Sequence, residues 1–282
     1  GNYLFQKIYE KANEKQRTQI LQTVKNHLVK ASLNLHGTRS VQKILEHCRT
    51  NDEQVKVVRE ALEPHILQLC LDGNGNHVVQ KGVQCLGVDQ RDFLYRAVGQ
   101  SLPAVACHRH GCCVLQRCLD SASPEQRRGL IAVVVVNALQ LMQDAYGNYV
   151  VQYVLDIGTQ LDAWSVCEKC LGHVHNLSIQ KFSSNVVEKC LEKANDRLLN
   201  LMISEISNPS SLAELLNDQF ANYVVQRSLV VAPHAVATEL VDNIKPHLPQ
   251  LRNTSGGRRI IAKILKRFPK TDLGDDFLVG LM

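Results

Sequence analysis

"GNGNHVVQKGVQCL" spans Gly73 to Leu86 and reads at first as the start of one amphipathic helix. Nearly the same phrase returns along the chain: "GNYLFQK" from Gly1, "HGTRSVQK" from His36, "HGCCVLQR" from His110, "YGNYVVQY" from Tyr146, "FSSNVVEK" from Phe182 and "FANYVVQR" from Phe220. Its small residue serves as a marker at Gly1, Gly37, Gly75, Gly111, Gly147, Ser183, Ala221 and a degraded Gly257, with successive spacings of 36, 38, 36, 36, 36, 38 and 36 residues. A period held from end to end marks a solenoid whose units bury their apolar faces against their neighbours. It predicts a single domain over residues 1–282 with no internal boundary.

Within a unit the apolar spacing is helical. In "SPEQRRGLIAVVVVNALQLMQDAYGNYVVQYVLDIG" from Ser123, Ser and Pro open one helix and the Gly of the repeated phrase opens another, with no strand-like alternation between them. Helix-opening signals recur in one slot: "TNDEQVKVVREAL" from Thr50, "VDQRDFLYRAV" from Val88, "SPEQRRGLIAV" from Ser123 and "NDRLLNLMISEI" from Asn195. The fold is therefore read as all-α, each unit holding two or three short helices.

Composition agrees with a folded soluble chain, 45% hydrophobic and 21% charged. No apolar run is long enough to span a bilayer, and no basic segment leads into an apolar signal core at the N-terminus, so an intracellular, cytoplasmic protein without membrane contact is expected. Ten scattered cysteines fit reduced thiols packed as small hydrophobes. A formal charge of +5 is mild, so a polyanion would have to be met by a local stripe.

Written as marker, x, y, apolar, apolar, z, the phrase places x and z four residues apart on one helical face, with y beside them. The sets are Asn2, Tyr3, Gln6; Thr38, Arg39, Gln42; Asn76, His77, Gln80; Cys112, Cys113, Gln116; Asn148, Tyr149, Gln152; Ser184, Asn185, Glu188; and Asn222, Tyr223, Gln226. In a solenoid they line up as parallel rungs. Position z is an amide or a carboxylate, x is small, and y is usually flat. Single-stranded RNA is recognised with such groups, bases stacking on aromatic or Arg planes while their edges are hydrogen-bonded. Each stack contributes about 1–3 kcal/mol.

These triplets, over essentially the whole chain, resemble the RNA-binding domain of the Pumilio family. The resemblance implies a right-handed crescent of three-helix repeats of about 36 residues. RNA would lie on its concave face, antiparallel to the protein, with one base per repeat. Complete members usually have eight repeats. This chain would hold about seven base-reading repeats and a C-terminal capping repeat, and would be N-terminally incomplete.

Glu188 can only accept, which suits the adjacent N–H donors of guanine, with Ser184 beside it. The Asn–Gln rungs at Asn2, Asn76, Asn148 and Asn222 suit uracil, since both amides can donate or accept. For Thr38 with Gln42 and Cys112 with Gln116 the resemblance implies adenine. In antiparallel order the prediction is 5′-UGUAUAU-3′, with the weakest stacking at Cys113. Lys7, Lys43, Lys81, Arg117, Lys189 and Arg227 follow z as a row that either contacts phosphate or flanks the helix in solvent. Arg252, Arg258 and Arg259 fall in the degraded unit, a candidate contact with backbone near the RNA 5′ end.

"CEKCLGHVH" from Cys167 and the cluster Cys107, His108, His110, Cys112, Cys113 invite zinc, but the apolar slots of the repeat account for most of the first and the rung for half of the second. No nucleophile has an identifiable base, and no phosphate loop or paired-carboxylate site is present. No enzyme activity, metal or cofactor is expected. By resemblance the chain binds UGUA-containing mRNA 3′ untranslated regions as a monomer and lowers translation or stability of the message. Co-repressor and deadenylase proteins would dock on the convex face or the junction 206–218. Two alternatives stay open: a nucleolar relative binding structured RNA in ribosome biogenesis, and a protein-binding helical scaffold.

Overall fold

The computed structural model describes residues 1–269, and among them every regular element is helical. A repeat consists of a first helix, a short second helix and a rung helix that starts at the marker, as in Asp52–Leu62, Ile66–Leu71 and Gly75–Cys85. Side-chain caps start the first helices where the sequence places them. Asn51, Ser123, Thr159 and Asn195 each accept from the backbone N–H three residues on, and Gln126 and Asp162 complete capping boxes. The helix expected from Val88 begins later, at Asp92, without a side-chain cap. There Gln90 accepts from the Gly87 N–H and donates to Arg49 O and Asp52, which holds residues 87–91 in a turn.

The contacts gather into two compact units, Gly1–Asn137 and a second starting at Ala138. In the first, the rung helices Asn2–Lys11, Gly37–Cys48, Gly75–Cys85 and Gly111–Ser121 lie side by side, each packed on the next. In the second, Gly147–Ile157, Ser183–Lys193, Ala221–Val231 and Ser255–Arg267 do the same. Val78, Val79 and Val83 of a rung helix, Leu69 and Cys70 of the short second helix packed on it, and Val58 and Leu62 of the first helix are all essentially without solvent. Each such aliphatic side chain contributes roughly 1.5–3 kcal/mol on burial. The period stretches to 38 at two places. One surplus pair lies at the end of helix Gly37–Cys48 and the turn after it, the other in the turn between Asp196–Ile206 and Leu212–Asn217.

Arginines close the C-termini of the rung helices. Arg17 donates to Tyr9 O and Glu10 O at 2.9 and 2.8 Å, and Arg127 to Leu119 O at 3.2 Å. Arg91, itself buried, joins Val83 O at 2.8 Å to Ser121 O at 2.5 Å, tying two consecutive rung helices together. Arg267 does the same work at Leu229 O and Ala232 O. These carbonyls have no partner within their own helix, and a cation beside them is also favoured by the helix dipole.

The marker is small because the short second helix runs directly against it. A Cβ on Gly111 would lie 2.1 Å from Val105 O, and one on Gly147 2.7 Å from Leu141 O. Ser183 stands in the same slot and turns the approach into a bond, its Oγ donating to Leu177 O at 2.7 Å. Gly111→Ala is therefore expected to destabilise the chain by roughly 1–3 kcal/mol, the usual cost of overpacking. Ser183→Gly should lose only the roughly 1 kcal/mol of one hydrogen bond. Urea unfolding of both variants beside the wild type checks the order.

Candidate nucleic-acid interface

Four rung helices are entered through an elbow built on one side chain three residues before the marker. Asp72 Oδ1 accepts from Asn74 N and Gly75 N at 2.8 and 2.7 Å, Asp144 Oδ1 from Tyr146 N and Gly147 N at 2.8 Å, and Asp218 Oδ1 from Phe220 N and Ala221 N at 2.8 Å. Asn34 does the same for His36 and Gly37 at 2.9 and 3.0 Å. Two of the four unpaired N–H groups at the helix start are thereby satisfied, and a carboxylate there also favours the dipole.

From this start the triplet positions separate by depth. Thr38, Asn76, Cys112, Asn148, Ser184 and Asn222 at x are buried, the z residues are buried or half-buried, and Tyr3, Arg39, His77, Cys113, Tyr149, Asn185 and Tyr223 at y are exposed. The x amides are used by the protein itself. Asn76 Nδ2 donates to Asp72 O and Gly73 O at 2.8 and 2.9 Å, and Asn148 Nδ2 to Asp144 O and Ala145 O at 2.8 and 3.0 Å. Their Oδ1 atoms accept from Gln80 and Gln152 Nε2, both at 2.9 Å, and Asn222 accepts from Gln226 at 3.0 Å.

This differs from the expectation that both amides face the base with either polarity. Asn76 and Asn148 have spent both N–H groups on the elbow and Asn222 donates to Asp218 O at 2.8 Å, so in these rungs the glutamine is held with Oε1 and one Nε2 hydrogen left to offer. Thr38 orients Gln42 in the same way, accepting at 3.1 Å while its own Oγ1 donates to Asn74 O at 2.9 Å in the next repeat's elbow. Asn2 is set differently: its Nδ2 donates to His36 O at 3.4 Å.

The y row is uneven. Tyr149 stands 58% exposed with an open ring face, whereas Asn185 folds back onto Lys181 O at 3.0 Å. Tyr223 carries the Arg259 guanidinium over its ring at 5.8 Å and accepts from Arg259 Nη1 at 2.7 Å.

The basic row behind z is paired. Lys81 reaches Glu46 of the preceding rung helix at 3.0 Å, Lys189 reaches Asp156, and Arg227 reaches Glu192 at 2.8 Å. Lys43 bonds Glu46 at 2.7 Å, while Lys7 and Arg117 lie 3.6 and 3.4 Å from Glu10 and Asp120. Lys7, Lys43 and Arg117 thus meet an acid one turn along their own helix, and Lys81, Lys189 and Arg227 an acid on the preceding rung helix, so the row is not a stripe of uncompensated charge. Arg252, Arg258 and Arg259 have no ion pair among the described residues. Glu188 is the charged z residue: burial pushes its carboxyl up from the ordinary glutamate range, Arg227 opposes this and Glu192 adds to it.

The tempting metal clusters do not converge. Cys167, Cys170 and Cys190 are buried free thiols, Cys170 and Cys190 with sulfurs 3.9 Å apart, while His175 Nε2 is held 3.0 Å from Glu214. Among the described residues no group of three potential ligands could hold a metal ion.

Polar triplets at one station of stacked helices define a modular binding protein of the helical-repeat class. The chain belongs to the Pumilio family: the Pumilio-family RNA binding repeat matches residues 1–24, 27–61, 65–98, 102–135, 137–163, 173–207 and 211–245. The Pumilio domain-containing protein C6G9.14 of Schizosaccharomyces pombe is 43% identical over 96% of this chain and 40% of its own length. Pumilio homolog 12 of Arabidopsis thaliana is 40% identical over 94% of the chain and 45% of its own length. The chain thus spans under half of either relative. Among solved structures, the Puf4 RNA-binding domain bound to the HO endonuclease RNA 3′ UTR recognition sequence matches with a TM-score of 0.81 and 37% identity, covering 93% of this chain and 84% of that one. The RNA-binding domain of yeast Puf5p bound to SMX2 RNA matches with a TM-score of 0.84 and 26% identity, covering 96% and 84%.

The elbow generates its own test. Asp144→Ala removes two bonds at a helix start and should cost about 1–2 kcal/mol. Asp144→Asn keeps the accepting oxygen and should cost less than half of that. Denaturant titration of the two variants measures the difference.

Proposed function

We propose that the whole chain acts as one sequence-specific, single-stranded RNA-binding domain that reads 5′-UGUAUAU-3′ in mRNA 3′ untranslated regions. In this reading it is cytoplasmic and monomeric, and it lowers translation or stability of the message through recruited co-repressor or deadenylase proteins. The observation that carries the reading is the held z edge. Gln80, Gln152 and Gln226 each offer one acceptor and one donor in a fixed orientation, which complements the N3–H and a carbonyl of uracil. Glu188 offers acceptors only, which complements the N1–H and N2–H of guanine. The held Gln42 edge also complements adenine through its N1 and exocyclic amine, and the family resemblance assigns adenine to the Thr38 and Cys112 rungs. Exposed y residues supply the stacking planes. RNA bound in the Puf4 and Puf5p structures supports the ligand class.

Equilibrium binding at fixed salt to 5′-UGUAUAU-3′, beside the same RNA with UGU changed to ACA, tests the register. Tight binding lost on that change is expected; equal binding to both would overturn the reading in favour of a structured-RNA protein or a scaffold. Replacing Ser184→Asn together with Glu188→Gln should move the preference from 5′-UGUAUAU-3′ to 5′-UUUAUAU-3′ in competition assays.

Protonation supplies a separate check. Guanine recognition needs the ionised carboxylate, and the free protein holds the Glu188 carboxyl above the ordinary value of roughly 4.3. Acidification from neutral pH should therefore erode the preference for guanine over uracil before a solvent-exposed glutamate would titrate. The preference of Glu188→Gln should stay flat over the same range.

A further inference from the structure

Arg227 follows Gln226 in sequence, yet its guanidinium serves the rung before its own. Nη1 lies 2.8 Å from Glu192 Oε1 and Nε lies 3.8 Å from Glu188 Oε2. The Nε–H is shut off from solvent and has no hydrogen-bond acceptor in this arrangement. A buried donor without a partner costs about 1–3 kcal/mol, so a small shift that lets it reach Glu188 is favoured. At the matching stations Lys81 and Lys189 meet a single acid each from the preceding helix, because z is a neutral glutamine there. Only at the Glu188 rung are two carboxylates, one helical turn apart, placed before one cation. Lys189, the other nearby base, is committed to Asp156 on the opposite side.

A planar guanidinium can serve two carboxylates at once, whereas an ammonium acts as a point charge. We propose that Arg227 is a positioning residue for guanine recognition: through Nε it holds the Glu188 carboxylate ionised and turned, leaving its remaining lone pairs for the N1–H and N2–H of the base. The proposal rests on the reading of Glu188 as the guanine-binding residue. It adds that the specificity of this rung is completed by a side chain from the next repeat, so that the triplet Ser184, Asn185, Glu188 does not act alone.

The test is competition binding of 5′-UGUAUAU-3′ and 5′-UUUAUAU-3′ to the wild-type chain and to Arg227→Met and Arg227→Lys. The readout is the ratio of the two affinities. Methionine keeps much of the aliphatic stem and removes the charge. It should lower the guanine preference on the order of tenfold, the size of one charge-assisted hydrogen bond. Lysine restores the charge without the fork and should give an intermediate ratio. An equal fall in affinity for both RNAs, which a merely structural or phosphate-binding Arg227 would produce, leaves the ratio unchanged and overturns the proposal. So does a wild-type ratio in Arg227→Met at full affinity. A wild-type chain with no guanine preference would sink the assignment of the rung itself, and is told apart from those outcomes because it needs no variant.

Discussion

Everything on the binding face depends on how the chain turns the elbow before each rung helix. At four rungs a carboxylate or amide three residues ahead of the marker gathers the first free N–H groups, and at the glycine markers Gly37, Gly111 and Gly147 a Cβ would press on the short second helix that runs against them. Together these fix the direction and phase of the rung helix. Phase is what matters for the side chains. At 3.6 residues per turn, an error of one residue would carry x and z about 100° around the axis. The carbonyls released by the elbow then bind the x amide, so the constraint that starts the helix also orients the group that holds z.

Charge plays a different part from the one a mildly basic chain suggests. Row by row, the bases beside z are spent on acids of their own or the preceding rung helix, and exposed pairs of this kind contribute only about 0–1 kcal/mol each to stability. Their effect is to quiet the field beside the rungs. What distinguishes one rung from another is thereby the hydrogen-bonding edge of its x and z residues. The unpaired arginines gather instead in the degraded last unit, where Arg259 has already taken up Tyr223.

The period, the helical class and the shared face of x and z were legible in the sequence because each is written seven or eight times in the same spacing, and the family resemblance narrowed two or three helices per unit to three. What repeats visibly can be read without partners. The less legible features are those that join residues remote in sequence or that depend on which lone pair is free. Arg91 binds the closing carbonyls of two consecutive rung helices, and nothing in "DQRDF" marks it. The spent amides of Asn76 and Asn148 could not be told from free ones by residue type. The late start of the helix at Asp92 follows from Gln90 reaching back to Arg49 and Asp52, a tertiary override of a local signal. Cys167 and Cys170 have ligand-like spacing, and it is the apolar slots of the repeat that placed them in the core where the structure has them.

The bond from Thr38 to Asn74, with its counterpart from Asn2 to His36, means that these two triplets lean on the elbow that follows them, while those of Asn76, Asn148 and Asn222 lean on their own. A recognition alphabet written on these helices is thus directional in its grammar. A triplet transplanted to another position inherits whatever backbone the next unit presents to its x residue, and the same three letters need not carry the same meaning there. An exchange of rungs within this chain would keep the geometry of each x residue best when the exchanged unit runs from one rung through the next elbow, rather than from marker to marker.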